Sequence, residues 1–560
     1  MTESGGRAAV AAPHADAARA GAEVLARGGS AVDAAIAMNA VLCVAYPHMA
    51  GLGGDGFWLV REARGRVAAI NARGPAAALA TREAYRAEHP DGIPTRGRRA
   101  ALTVPGAVDG WRLAHERWGR LSWPELFGPA IALARDGFPV PPSLARYVVR
   151  DAADLYAHPA AGALFAGLLP GQPLVQPYLA RSFEVLARRG ARAGFYEGPL
   201  GAEIGRSLEA AGSPLRLDDL AAYHAEWIAP LRADYRGYEL LELPPNTQGF
   251  AAIQILRLLE GYDLVAMGDE SADYVHAVVE ATRLAFADRD AWLADPACVT
   301  APLDRLTSRA YAAERRLLMD PTCAMRPDRV EPGIAFDAAA RRLARGRRGI
   351  AGKPPGPPSP PVPPLVEPPL PGGDTCYFCA LDDEGLAVSC IQSIFHAFGS
   401  MVLGGDTGIL LQNRGTSFSL DDRDAARLEP GARPPHTLIP AMLLRDGHPV
   451  MLFGAMGGEG QPQTHAALVT RVVDFGRDAA QAVAAPRWVA GRAWGAATSG
   501  LAIEPRFPPE VVRELERRGH AVRVVAAHDE LTGHAQAILL REGALEAAAD
   551  PRGDGAGIVL

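Results

Sequence analysis

The sequence predicts an α+β globular protein, and three observations carry that prediction. Hydrophobic residues make up 48% of the 560-residue chain and charged residues 22%, values that suit a packed interior under a solvated surface. The first two-thirds is dominated by apolar positions at helical spacing. The last third opens instead on GGDTCYFCALDDEGLAVSCIQSIF, which reads as strand, DDEG turn and strand, and then alternates strands with helices. At roughly 100–200 residues per domain the length allows three or four domains or one large body, with ample chain to bury a core.

Each element follows from local signals. Residues 14–27 (HADAARAGAEVLAR) form an alanine-rich helix stopped by Gly28-Gly29. Ser30 caps a second, apolar helix that runs to about Tyr46 and is closed by Pro47. In GLGGDGFWLV (51–60), Gly51, Gly53 and Gly56 match GxGxxG by letter. A dinucleotide site needs strand, glycine turn and helix, whereas here a helix precedes and the strand FWLVR follows, so a tight glycine-rich turn is expected. Residues 110–350 are mostly helical, around LFGPAIALARDGF, SADYVHAVVEATRLAFADRDAWL and RAYAAERRLLM, with DYRGYELLELPP as a strand pair or extended segment. RRLARGRRGI (341–350) is a basic solvated face without the interleaved aromatics of a nucleic-acid patch. Residues 354–371 hold eleven prolines in eighteen positions; such a run is extended, polyproline-like and exposed, and marks a boundary. Near the end, AALVTRVVDFG and PPEVVRELERRG read as helices.

Composition removes whole classes of function. A net charge of −7 argues against nucleic acid as a partner. The start shows no basic segment followed by an apolar core, and AVDAAIAMNAVLCVA is too short to span a bilayer and carries Asp33 and Asn39. A soluble, cytoplasmic protein without a membrane partner is expected. The six cysteines lack the density of a disulfide framework. Cys376 and Cys379 form a CxxC on a strand, where i and i+3 point to opposite faces, which predicts two core cysteines rather than a redox pair. Of 57 basic residues only Lys353 is lysine. That excludes a P-loop, an SxxK hydrolase, a kinase lysine and a Schiff-base lysine. GxSxG and HExxH are absent as well: His115-Glu116 is followed by Arg-Trp-Gly. No metal or organic cofactor is expected.

Chemistry is concentrated where the exposed linker enters Gly372-Gly373-Asp374-Thr375 and a buried strand. These residues by themselves admit two readings. One is a strand that begins after a loop. In the other, glycine freedom exposes the Asp374 carbonyl to the Thr375 hydroxyl, an ester forms, and hydrolysis leaves Thr375 as a new N-terminus. Its α-amine, with an ordinary pKa of about 7.7–8, would then serve as base to its own hydroxyl.

The chain resembles the γ-glutamyltransferases, self-processing N-terminal-nucleophile hydrolases. The resemblance runs from VLARGGSAVDAAIAMNAVLCVAYPHMAGLGGDGFWLV through DLAAYHAEWIAPLRADYRGYELLELPP and EATRLAFADRDAWLADP to the terminal ADPRGDGAG. It includes GGDTCYFCALDDEGLAVSC, GDTGILLQN, RPPHTLIPA and AMGGEG in the family's order and spacing. It implies a four-layer αββα sandwich built by a large subunit (1–374) and a small subunit (375–560) that remain together as a heterodimer. It also implies cleavage between Asp374 and Thr375, and Thr375 as nucleophile. Gly457 and Gly458 match the glycine pair whose amides form the oxyanion hole, and Ser393 matches a position that is threonine in typical members. Arg73, in INARGPAAA, matches the arginine that holds a substrate carboxylate.

The chain departs from the family around the γ-glutamyl pocket. Where the family uses asparagine, glutamine, aspartate and serine, this chain has Phe395, Arg414, Ser417 and His436. An acidic partner for an ammonium is lost and a cation is gained, so the pair Arg73 and Arg414 favours an anion and repels an α-ammonium. For Arg414 the competing expectation is an internal salt bridge to Asp406, Asp421 or Asp422; for His436 it is a loop cap. The strings IQSIFHAFGS, QNRGTSFSL, RPPHTLIPA and MGGEGQPQ resemble a divergent branch that includes oxamate amidohydrolases. The expected substrate is therefore a small amide bearing a carboxylate. Glutathione hydrolase or γ-glutamyl transfer, a cephalosporin-type acylase acting on dicarboxylic monoamides, and an unprocessed non-enzymatic scaffold are the alternatives.

Overall fold

Two antiparallel sheets lie face to face and a helical layer covers each outer surface, the αββα order that the resemblance implies. The computed structural model describes residues 7–336, 373–491, 500–541 and 543–560. The basic run 341–350 and the proline-rich run 354–371 lie outside the described residues.

The first sheet has seven strands, in the order Ala556–Val559, Ala9–Ala12, Gly373–Leu381, Ala387–His396, Asp55–Arg61, Val67–Ala72 and Glu226–Ile228. The second has six, in the order Ala544–Ala549, Ala535–Arg541, His448–Ala455, Ala441–Arg445, Tyr238–Glu242 and Leu231–Tyr235. Both sheets therefore draw strands from either side of Thr375. The strand that carries Thr375 pairs with Ala9–Ala12 on one edge and Ala387–His396 on the other.

The period of two along a strand divides the core. Tyr377, Cys379 and Ile391 face inward and pack with Phe57, Leu241, Met442 and Ile538 between the sheets. Cys376, Phe378 and Cys390 face outward, against the helices Ala15–Ala26 and Ala31–Ala45. Cys376 and Cys379 thus occupy opposite faces, both buried and both free thiols, as the spacing predicts. On the second sheet, Leu443, Met451 and Phe453 pack under the helices Gly249–Leu259, Ala272–Trp292 and Gln461–Val473.

The helix Ala31–Ala45 is buried at every position, which explains why it reads as apolar all round rather than amphipathic. Its start is held by a capping box: Ser30 Oγ accepts the Asp33 amide and Asp33 Oδ2 accepts the Ser30 amide. The same Asp33 oxygen also accepts the amides of Arg120 and Leu121, at 2.8 and 3.0 Å, and so ties a distant loop to the helix. The expected strand pair forms as the hairpin Leu231–Tyr235 and Tyr238–Glu242, and the two late helices form over Gln461–Val473 and Pro509–Arg517. One element goes beyond expectation. The strand Ala9–Ala12 consists of Ala-Val-Ala-Ala, too short and too alanine-rich to show a strand period, and exists because both of its edges are paired. No described helix is long and apolar enough to cross a membrane.

Asp33→Ala strips three amides of their acceptor, that of Ser30 buried and those of Arg120 and Leu121 part-buried. A buried unsatisfied group costs about 1–3 kcal/mol, so the variant is expected to lose about that much or somewhat more, read as a lower denaturant midpoint.

Candidate active site

Thr375 lies near the start of its strand and is almost fully buried, at 2% exposure. Opposite it the neighbouring strand bulges: Gln392 pairs with Cys376 and Phe395 with Asp374, so Ser393 and Ile394 together face the single residue Thr375. Ser393 Oγ accepts the Phe395 amide at 2.8 Å and braces the bulge. Phe395 itself has φ 79, in the left-handed region that aromatic residues rarely adopt. On its other side Ser393 pairs with Asp55, the first residue of the strand after the glycine turn. The turn must be glycine because a Cβ on Gly54 would stand 2.3 Å from the Ser393 carbonyl oxygen. Of the glycines that match the dinucleotide motif by letter, Gly53 is required for a similar reason: a Cβ there would stand 2.1 Å from the Leu410 carbonyl oxygen.

The turn Gly458–Gly460 packs against the Thr375 strand and leads into the helix Gln461–Val473. Gly457 has φ 141 and Gly458 φ 54, both in the region glycine favours. Gln248 holds this turn in place, donating to the carbonyls of Gly458 and Thr437 at 2.9 and 2.8 Å while its own Oε1 accepts from Arg289.

Around Asp55 and His436 sit two guanidinium groups, each with at most 1% exposure. Arg73 donates from Nη1 to the Pro434 carbonyl at 2.6 Å, and Arg414 donates from Nη1 to Thr437 Oγ1 at 3.2 Å. In both, Nε and Nη2 are buried without a hydrogen-bond partner among the described residues. Nε and Nη2 form the edge that grips a carboxylate through two parallel bonds. Arg414 is further fixed by the Phe395 ring, 3.7 Å from its guanidinium carbon. The alternative salt bridge does not form: Asp421 pairs with Arg423, and Asp422 with Arg82 and Arg86. Burial lowers both arginines to about 9, so both remain cationic at neutral pH.

An acid outside the four departing positions, Asp55, also stands in this cluster. Asp55 is fully buried; its Oδ1 accepts from Gln412 at 2.9 Å and from the Gly74 amide at 3.2 Å, and its Oδ2 accepts from His436 Nε2 at 3.2 Å. Burial raises its carboxyl to about 7. His436 is held well below its usual value by burial, aided by Arg414 and Arg73, and is neutral. With Nε2 donating to Asp55 and Nδ1 accepting the Leu438 amide, both ring nitrogens are engaged within the fold. That bonding matches the loop-cap expectation for His436.

A cavity of about 430 Å³ opens beside this cluster, lined by Phe395, Ser417, His436, Thr437, Arg289 and Glu459 among others. Of the residues expected from sequence, Phe395, Ser417 and His436 reach its wall; Thr375, Ser393, Arg73, Arg414, Gly457 and Gly458 stand outside its lining. Asp55, Gln412 and Gln248 were not anticipated. Asp55 was detectable in principle, as a lone acid between a glycine turn and the apolar run FWLV; nothing local marks the two glutamines.

One trio among the described residues, His276, Glu280 and His520, is close enough to hold a metal ion. Its hydrogen bonds leave no nitrogen open, however. Arg283 faces His520 Nδ1, His520 Nε2 meets His276 Nδ1 at 2.8 Å, and His276 Nε2 meets the Asp320 carbonyl.

The γ-glutamyltranspeptidase family model matches residues 17–560. The chain belongs to the γ-glutamyltranspeptidase family. It is 41% identical over 556 residues to the glutathione hydrolase-like YwrD proenzyme of Bacillus subtilis, covering 98% of each chain. It is 40% identical over 558 residues to the oxamate amidohydrolase proenzyme of Klebsiella pneumoniae, covering 97% of each. Among solved structures, the cephalosporin acylase of Bacillus halodurans superposes with a TM-score of 0.87 at 31% identity, over 100% of this chain and 97% of that one. The protein is thus an enzyme of the N-terminal-nucleophile hydrolase type, and the family's sandwich is the one described above.

Gly54→Ala is expected to push the Ser393 bulge away from Thr375 and to cost about 2–3 kcal/mol by overpacking. Gly128→Ala, where nothing lies within 4 Å, is the control and should be neutral or slightly stabilising. Denaturant midpoints compare the two.

Proposed function

We propose that the chain is a self-processing N-terminal-threonine amidohydrolase that cleaves a small, carboxylate-bearing amide of the oxamate type. Thr375 is the nucleophile, freed by cleavage after Asp374, and the products are a large subunit (1–374) and a small one (375–560). In processing, Thr375 Oγ adds to the Asp374 carbonyl carbon, the peptide C–N bond breaks, and water hydrolyses the resulting ester to leave a free α-amine on Thr375. In catalysis that amine takes the hydroxyl proton as Oγ attacks the substrate amide. The developing oxyanion is received by the amides at Gly457 and Gly458, donors typically worth about 3–4 kcal/mol in the transition state. The amine passes the proton to the leaving nitrogen, the C–N bond breaks, and water releases the acid from acyl-threonine. Ser393 positions the nucleophile strand through its bulge.

The observation that carries the substrate class is the pair of buried guanidinium edges on Arg73 and Arg414, each without a hydrogen-bond partner among the described residues and so able to take an oxyanion. An α-ammonium would face two cations there. Asp55 offers it no ligand, because its oxygens are engaged by Gln412, Gly74 and His436. A second reading, a dicarboxylic-monoamide acylase, draws support from the likeness to the cephalosporin acylase of Bacillus halodurans. Glutathione hydrolysis is disfavoured by the same two cations.

The mature protein should run as two fragments of roughly 39 and 20 kDa under denaturing conditions, and as one species natively, because both sheets contain strands of each fragment. Thr375→Ala should remain a single chain of 59.0 kDa without activity. A wild-type chain that stays intact would leave the scaffold reading. Ammonia release from oxamate should exceed p-nitroaniline release from a γ-glutamyl anilide, and the reverse order would restore the glutathione-hydrolase reading. Arg414→Gln removes one bidentate contact, so KM for small anionic amides should rise about tenfold or more with little change in kcat.

A further inference from the structure

We propose that Asp55 is a specificity-determining residue of the acyl pocket: it is the counter-ion shared by Arg73 and Arg414, and its charge sets how much positive field their open edges present to an anionic acyl group. The inference rests on the reading of the pocket given above and adds a residue and a rule to it.

The geometry is a continuous chain of contacts. Asp55 Oδ1 accepts the amide of Gly74, the residue after Arg73. Its Oδ2 meets His436, and the next residue, Thr437, accepts Nη1 of Arg414. Asp55 therefore stands between the anchor points of the two arginines and is attracted to both. The groups that face it are Arg73, which follows the strand Val67–Ala72; Arg414, on the 3-10 turn Arg414–Ser417; neutral His436; and the Tyr223 hydroxyl. Gln412 and the Gly74 amide add dipoles only. Asp295 and Arg433 act on Arg73 more strongly than Asp55 does but with opposite signs, so they offset one another, whereas Asp55 is the leading opposite charge on Arg414, ahead of Glu459.

Two consequences follow from this placement. With both oxygens hydrogen-bonded inside the fold, and one lone pair on Oδ2 left to take a proton, Asp55 acts on a substrate through space and not as a ligand. Charges in a buried, low-dielectric setting act strongly over several ångström. Ionised Asp55 leaves the two arginines with a net charge of one; protonated, it leaves two. Because burial raises its carboxyl to about 7, both states are populated at neutral pH. A bound anion favours the protonated state. Anion affinity therefore falls as pH rises through about 7, and falls more for a dianion than for a monoanion.

Calorimetric titration of the mature enzyme with oxalate at pH 7, in buffers of different ionisation enthalpy, reads this directly. Uptake of about half a proton is expected, because an acid with a pKa near 7 is half ionised there. The Thr375 α-amine, with an ordinary pKa of about 7.7 or higher, can take up at most roughly one-sixth of a proton at that pH. The inhibition constant of oxalate should rise on the order of tenfold from pH 6 to 8, and that of lactate, a monoanion, should rise less. In Asp55→Asn the uptake should shrink to the share of the amine and the oxalate profile should flatten. Oxalate binding with less than about a fifth of a proton taken up, or an Asp55→Asn profile like the wild type, overturns the role of Asp55 and leaves the acyl pocket standing. Failure of both oxalate and lactate to bind overturns the anionic pocket itself, and the role of Asp55 with it. Should Asp55→Asn not fold, the wild-type proton uptake decides.

Discussion

The pairing of the Thr375 strand between Ala9–Ala12 and Ala387–His396 is the constraint on which the rest of the structure depends. It fixes which residues face inward and which outward, because a one-residue slip would exchange Cys379 for Cys376 between two different cores. It also sets the place of the bulge at Ser393–Ile394, and through it the position of everything opposite Thr375. Since the strand's neighbours come from either side of Thr375 in the chain, a cut in the backbone before Thr375 would leave the ladders intact. A fold that interleaves its segments in this way can lose a peptide bond without losing its core.

The acyl pocket is organised by charge that has been removed from water. Two guanidinium groups are buried with their carboxylate-binding edges unmatched, an arrangement that is costly unless an anion completes it. Asp55 is the carboxylate that acts on both, beside Asp295 on Arg73 and Glu459 on Arg414, and is itself hydrogen-bonded by neutral donors. Phe395, held in an unfavourable backbone conformation by the bulge, fixes Arg414 through its ring face. The strain at the bulge and the orientation of the cation are therefore two ends of the same construction.

Much of this was legible in the chain. The early helices, the hairpin over residues 231–242 and the strand pair after Asp374 announce themselves through caps, turn residues and period, because those signals act over a few positions. The strand Ala9–Ala12 did not, since four small residues carry no pattern and its existence depends on partners more than 360 residues away. In the site, Arg73 and Arg414 stood out as cations in recognisable strings. Gln248 and Gln412 did not, because an amide side chain has a role only once a carbonyl or carboxylate has been brought within hydrogen-bond reach.

The sequence by itself determined the fold class, the family's order of motifs, the opposition of Cys376 and Cys379, and the loss of one acidic pocket position with the gain of an arginine at another. Those are properties of residue type and spacing. Tertiary structure alone decided that Arg414 joins Thr437 and Phe395 in preference to the nearby aspartates, that His436 turns both nitrogens into the fold, and that Asp55 carries the balancing charge. Such outcomes turn on distance and burial between segments that are remote in the chain, and the energy of a charge depends on both far more steeply than on its neighbours in sequence.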